Sequence, residues 1–94
     1  MADQIGKIWI TRGFKEAGYA LSADARAAKF AQVDAARNEC GRLLLSAVSR
    51  WSSGFYGFGA ELFPDLEALR RHTAMLDELD WFRYVDDESF VGVL

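Results

Sequence analysis

The middle of the chain limits its folding options most. Two runs of strand character, Arg42 to Trp51 and Phe55 to Phe63, are separated only by Ser52-Ser53-Gly54. That spacing predicts a hairpin. In the first run Leu43, Leu45, Ala47, Ser49 and Trp51 share one face and Leu44, Ser46, Val48 and Arg50 the other, the pattern of a mostly buried strand. In the second, Phe58, Ala60 and Leu62 lie opposite Gly57, Gly59 and Glu61, and the two glycines permit a close approach. Each side of this hairpin carries a helical stripe and, beyond it, one more short strand-like run. Upstream, Ala23, Ala27, Phe30, Val33, Ala36 and Cys40 recur at steps of three or four, with Arg26, Lys29, Asp34 and Arg37 on other faces. Ser22 is the expected N-cap, Asp24 favours the positive end of the helix dipole, and Gly41 is the expected stop, as a residue permitted at positive φ. Downstream, Asp65 behind Pro64 caps a second stripe of Leu66, Leu69, Thr73, Leu76 and Leu79, with His72 and Met75 on its flank.

The outermost runs complete the pattern. Lys7 to Phe14 reads as a strand with Ile8 and Ile10 on one face and Trp9 and Thr11 on the other. Lys15 to Leu21 has no useful period and reads as a loop. Asp80 to Val85 is an aromatic segment leaving the second helix, Asp86-Asp87-Glu88 an acidic turn, and Ser89 to Leu94 a final strand. The order strand, helix, strand, strand, helix, strand predicts an α+β ferredoxin-like sandwich, with a four-stranded antiparallel sheet and both helices on one face. Strands apolar on both faces would leave the other side of that sheet exposed, so a homodimer packed sheet to sheet is expected. The length of 94 residues fits a single domain spanning 1–94.

Charge and composition exclude several function classes. Eleven Lys and Arg against 14 Asp and Glu give a net charge of −3, the wrong sign for neutralising phosphates, so no nucleic-acid partner is expected. Leu43-Leu44-Leu45 is the longest apolar stretch, far short of the roughly 20 residues of a spanning helix, and the acidic start Met1-Ala2-Asp3-Gln4 does not read as a leader. No membrane association is expected, and with a single cysteine, Cys40, the reading is a reducing cytoplasm and an inert buried thiol. Asp77, Glu78, Asp80, Asp86, Asp87 and Glu88 lack calcium-loop spacing, so no metal site is expected. No phosphate loop, dinucleotide fingerprint or serine-nucleophile elbow is present, which leaves chemistry without a cofactor, or no chemistry at all.

The stretch Tyr56-Gly-Phe-Gly-Ala-Glu-Leu-Phe-Pro-Asp-Leu-Glu-Ala-Leu-Arg-Arg-His72, followed by Trp81-Phe-Arg-Tyr84, resembles the third strand, second-helix start, helix histidine and aromatic segment of the dimeric α/β-barrel superfamily. That superfamily of small ferredoxin-like proteins includes antibiotic-biosynthesis monooxygenases, muconolactone isomerase and small polyketide cyclases. The resemblance implies a homodimer that closes into an α/β barrel, with a pocket between sheet and helices in each protomer for a hydrophobic or aromatic small molecule. As a fold-level analogy it names no shared catalytic set.

Within that frame the candidate catalytic residues are His72, Tyr19 and Tyr84. His72 is the only histidine, and its side chain alone has an ordinary pKa near neutrality. Its plain reading is a partly exposed helix residue among polar neighbours. Tyr19, placed as a lid in the loop before the first helix, together with Tyr56 and Tyr84, can donate hydrogen bonds to a carbonyl or phenolate. Trp9, Trp51, Trp81 and Phe58 are the candidate walls of a ligand pocket, the alternative being plain core and dimer packing. Arg12 and Glu61 stand on neighbouring strands and read first as an ion pair across the ladder. If both point inward instead, Arg12 holds a carboxylate or enolate and Glu61 acts as a base. Three functions fit: a cofactor-independent monooxygenase, cyclase or isomerase acting on an aromatic or polyketide-like compound; a non-catalytic barrel that holds a hydrophobic ligand, including haem on His72; and a structural dimeric module.

Overall fold

The computed structural model describes residues 3–49, 51 and 54–94. Its elements are β1 (Ile5–Phe14), α1 (Glu16–Ala20), α2 (Ala23–Cys40), β2 (Arg42–Val48), β3 (Gly57–Phe63), α3 (Leu66–Glu78), α4 (Trp81–Tyr84) and β4 (Val85–Val93). The four strands form one antiparallel sheet in the order β2-β3-β1-β4, with the helices against one face. This is the ferredoxin-like βαββαβ arrangement. Ser22 caps α2 by accepting the Ala25 N–H on its Oγ at 3.1 Å, and Asp65 caps α3 by accepting the Ala68 N–H at 2.8 Å.

Several local expectations are corrected. Part of Lys15 to Leu21 is the short helix α1, tied down by the Lys15 N–H donating to the Tyr84 carbonyl. The expected acidic turn Asp86-Asp87-Glu88 belongs to β4, because β1 continues to Phe14 and supplies it with ladder partners. Gly41 does end α2, but with extended backbone at φ −165°. Its need for glycine is close approach: a Cβ there would stand 2.4 Å from the Leu62 carbonyl oxygen and 2.7 Å from the Phe63 ring. The Ser52-Ser53 part of the expected hairpin turn lies outside the described residues.

The register decides which side chains face the helices. Along β1 and β3, Ile5 opposes Phe63, Lys7 opposes Glu61, Trp9 opposes Gly59 and Thr11 opposes Gly57, and paired residues share a face. A bulge at Arg12 then lets Phe14 and Val85 pair on that same inner face. A second bulge at Leu44 breaks the expected alternation of β2. Leu43 pairs with inward Glu61, but Leu45 pairs with Ala60 and Ala47 with Phe58 on the outer face, while Ser46 and Val48 turn inward. The edge strand is also largely exposed rather than mostly buried. The outer face presents Ile8, Leu45, Phe58 and Phe90, all at least two-fifths exposed.

The core between sheet and helices has two apolar clusters. Ile5, Cys40, Phe63 and Leu69 form one, and Leu76, Trp81 and Val85, with Phe14 and Val33 against them, form the other. Among the described residues, no helix is long and apolar enough to cross a membrane. Because backbone carbonyl and aromatic ring both crowd the Gly41 position, Gly41→Ala is expected to destabilise the protein by about 2 kcal/mol or more. Gly92→Ala, whose Cβ meets nothing within 4 Å, is expected to stay within about 0.5 kcal/mol of wild type. Urea midpoints for the two variants check this.

Candidate functional site

A layer of polar side chains lies between the two apolar clusters. On β1, Lys7 stands between Ile5 of one cluster and Phe14 of the other. On α3, His72 stands between Leu69 and Leu76, and on α2, Arg37 between Cys40 and Val33. Glu61 completes the layer from β3, opposite Lys7. All four are buried, His72 most deeply at 1% exposure. Arg37 was expected on an outer face of α2, but the sequence Phe30, Val33, Arg37, Cys40 keeps helical steps and carries it inward, where Asp34 and Asn38 accept its N–H groups.

The layer borders a cavity of about 400 Å³. That volume lies within the range of small-molecule sites. Its polar lining includes Lys7, Arg37, Glu61, His72, Asp87 and Thr11, and its aromatic walls are Trp9, Phe14, Phe30, Tyr56 and Trp81. Exposed lining residues on β2 (Ser46, Val48) and on α2 (Phe30, Asp34) place the opening between that sheet edge and that helix. Gly59 shapes one wall: a Cβ there would meet the Trp9 indole at 2.5 Å, so the indole lies directly against the β3 backbone. This is the close approach that the two glycines of β3 allow.

Three buried polar atoms here have no hydrogen-bond partner among the described residues: Glu61 Oε1, His72 Nδ1 and His72 Nε2. An unpartnered buried polar group costs about 1–3 kcal/mol, so each one needs an explanation. The titration directions agree with burial. The His72 imidazole, tilted against the Phe63 ring at 5.0 Å, is lowered to about 4, first by burial and then by the charges of Lys7 and Arg37. It is therefore neutral near pH 7, with one ring nitrogen to donate and one to accept. Burial pushes the Glu61 carboxyl up, against the opposing pull of Lys7 and Arg37, and pushes the Lys7 ammonium down. Asp87 is also raised by burial, while the Thr11 hydroxyl, which donates to it, and the Trp81 indole favour its charged form.

Of the residues singled out from sequence, the fold brings His72, Glu61, Tyr56, Trp9 and Trp81 to this cavity. It places the others elsewhere. The expected Arg12–Glu61 pair does not form. Arg12 sits in the β1 bulge and donates to Glu88 of β4 at 2.7 Å on the exposed ladder, whereas Glu61 faces inward opposite Lys7. Phe58 lies on the outer face, and Trp51, beyond the end of β2, is 92% exposed. Tyr19 is on α1 rather than in a loop, packs edge-on against Phe14 at 5.7 Å, and lines a separate shallow cleft with Phe14, Phe30 and Tyr56. Tyr84 lies beneath the Lys29 ammonium, 5.0 Å from ring centre to Nζ, outside the cavity lining. Sequence reasoning passed over Lys7, Arg37, Thr11 and Asp87. A signal existed for Lys7, which shares the parity of Trp9 and Thr11.

No protein-family model and no curated protein matches the chain. Solved structures do. Two crystal structures of SnoaB, a cofactor-independent oxygenase from Streptomyces nogalater, superpose over 99% of this chain and 94% of theirs. The point mutant has a TM-score of 0.61 at 14% identity, and the other structure 0.57 at 15%. A dimeric protein of unknown function and ferredoxin-like fold from Bacteroides fragilis NCTC 9343 has a TM-score of 0.55 at 7% identity, covering 97% of this chain and 96% of that one. At these identities the likeness is one of fold.

The lowered His72 pKa makes stability depend on pH in a definite direction. Between about 4 and the ordinary 6.5 the unfolded chain binds a proton that the native imidazole does not, so this contribution rises with pH through the window and is complete above it. The raised pKa values of Glu61 and Asp87 act in the opposite sense, and they remain in a His72→Leu variant. The expected outcome is that wild type loses more stability than His72→Leu between pH 7 and pH 4.5, measured by urea titration at each pH.

Proposed function

We propose that the cavity is the active site of a small enzyme that takes a proton from an aromatic or polyketide-like compound, with Glu61 as the base. The observation that carries this reading is the buried, unpartnered Oε1 of Glu61 in the same aromatic-walled cavity as the unpartnered imidazole of His72. A carboxylate whose pKa is raised by burial is a stronger base than an ordinary one. As it removes a proton from a C–H flanked by a carbonyl-bearing ring system, negative charge moves to the carbonyl oxygen. Neutral His72 donates a hydrogen bond there, and the positive field of Arg37 favours the anion. Trp9, Phe30 and Trp81 hold the ring system.

From that anion the reading favours oxygenation, supported by the fold shared with a cofactor-independent oxygenase. The carbanion passes one electron to dioxygen, and the resulting radicals combine into a hydroperoxide. Loss of water then leaves a ketone. A CH₂ group and one O₂ give a C=O group and one H₂O, so no external reductant is consumed. Cyclase and isomerase reactions start from the same deprotonation and differ in what the anion does next.

The apolar outer face of the sheet supports a homodimer in which Ile8, Leu45, Phe58 and Phe90 of two copies pack together, and the Bacteroides fragilis neighbour is dimeric. Sedimentation is expected at twice the 10.5 kDa chain mass, and an Ile8→Glu, Phe90→Glu double variant at once that mass. For the chemistry, the expected result is oxygen uptake with anthrone-type compounds that falls about 100-fold or more in Glu61→Gln. An oxygen electrode with product mass spectrometry measures it. Glu61→Gln activity equal to wild type would reject Glu61 as the base.

A further inference from the structure

The three lysines of this chain have different surroundings. Lys15 Nζ donates to the Phe82 carbonyl at 2.7 Å, and Lys29 Nζ donates to the Leu79 carbonyl at 2.8 Å. Both are tied to the region where α3 passes into α4. Lys7 alone lines the cavity. It is 8% exposed, and although Glu61 stands opposite it in the ladder, it takes part in none of the ion pairs among the described residues. Burying an ammonium without close ionic pairing is costly, and a functional reading of the amine accounts for its position better than a structural one.

We propose that Lys7 is a nucleophile that captures the carbonyl carbon of an aromatic aldehyde or ketone in the cavity as an imine, with Glu61 carrying protons to and from the departing oxygen. The Lys7 nitrogen lone pair forms a C–N bond while the carbonyl π pair moves to oxygen, which takes a proton from the Glu61 carboxyl. The nitrogen gives up a proton to the Glu61 carboxylate so formed. Glu61 then protonates the hydroxyl, which leaves as water, and the nitrogen lone pair closes the C=N bond. Its remaining N–H proton returns to the carboxylate. Amine and carbonyl give imine and water with no change of oxidation state. Burial favours the neutral amine and the neutral acid, the pair from which this sequence starts. Aromatic walls limit the water that would reverse it.

This inference rests on the proposed function only for the aromatic character of the ligand; it needs neither dioxygen nor a carbon acid. The test treats the full chain with 2-hydroxy-1-naphthaldehyde, traps imines with sodium borohydride, and maps the reduced adduct by peptide mass spectrometry. One adduct per chain is expected at Lys7, with Lys15 and Lys29 each labelled to less than about a tenth of that level, where an activated buried amine differs from ordinary surface ones. Adding 2-naphthol, an aromatic without a carbonyl, is expected to slow labelling of Lys7 and leave Lys15 and Lys29 unchanged. Lys7→Arg is expected to abolish the dominant adduct. Equal labelling of the three lysines, absence of an adduct, or 2-naphthol without effect on Lys7 would overturn the proposal. The two readings fail separately: trapping at Lys7 without oxygen uptake supports the imine chemistry and rejects the oxygenase, and oxygen uptake without trapping does the reverse.

Discussion

The rest of the structure is organised around a polar layer in the middle of a small core. Lys7, Glu61, Arg37 and His72 come from four different elements, yet each stands at the same level, between residues of the two apolar clusters. A core of this size gains most of its stability from apolar burial, and interrupting it with groups that lack partners works against folding. The two clusters hold the layer from both sides: Phe63 lies against the His72 ring, and Leu76, Trp81 and Val85 close the opposite side. The unfilled volume next to the layer is lined by the two residues, Glu61 and His72, whose buried polar atoms lack a partner among the described residues.

Two bulges give the sheet its chemical asymmetry. The bulge at Leu44 turns Ser46 and Val48 toward the cavity and Leu45 away from it, so the edge strand contributes to both faces. The bulge at Arg12 moves that charge onto the exposed ladder, where Glu88 pairs with it, and lets Phe14 close the inner face against Val85. Without that shift, the parity of β1 would carry Gly13 rather than Phe14 inward. The glycine at 59 has a matching role: by lacking a Cβ it lets the Trp9 indole lie against the strand instead of filling the cavity. Shape and polarity of the site therefore come from backbone irregularities as much as from the side chains that line it.

How much of this was legible in the sequence differs by element. Both long helices were readable because capping is local: Ser22 and Asp65 act on amides three residues away. The strand order of the sandwich followed from element order and the short hairpin connection. Arg12 and Phe58 were legible as strand residues but not as residues outside the cavity, since one extra residue in a strand reverses the face of all that follow. Tyr19 and Tyr84 were placed by chain position, and only the packing of α1 and α4 against the sheet end shows that they miss the cavity. Lys7 and Arg37 were passed over because charged residues are ordinarily exposed, and neither periodicity nor composition shows which ones are not.

By itself the sequence determined the alternation of strand and helix, the caps, the apolar excess on the strands and the net negative charge, all of which rest on near neighbours or on simple sums. Tertiary structure alone decided which charges are buried, that His72 faces inward at 1% exposure rather than outward, and that Glu61 meets Lys7 rather than Arg12. The reason is physical. Burial and pKa depend on what the rest of the chain places within a few ångströms, and a residue on β1 meets its partners on β3 and α3 only after some fifty to sixty intervening residues have folded between them.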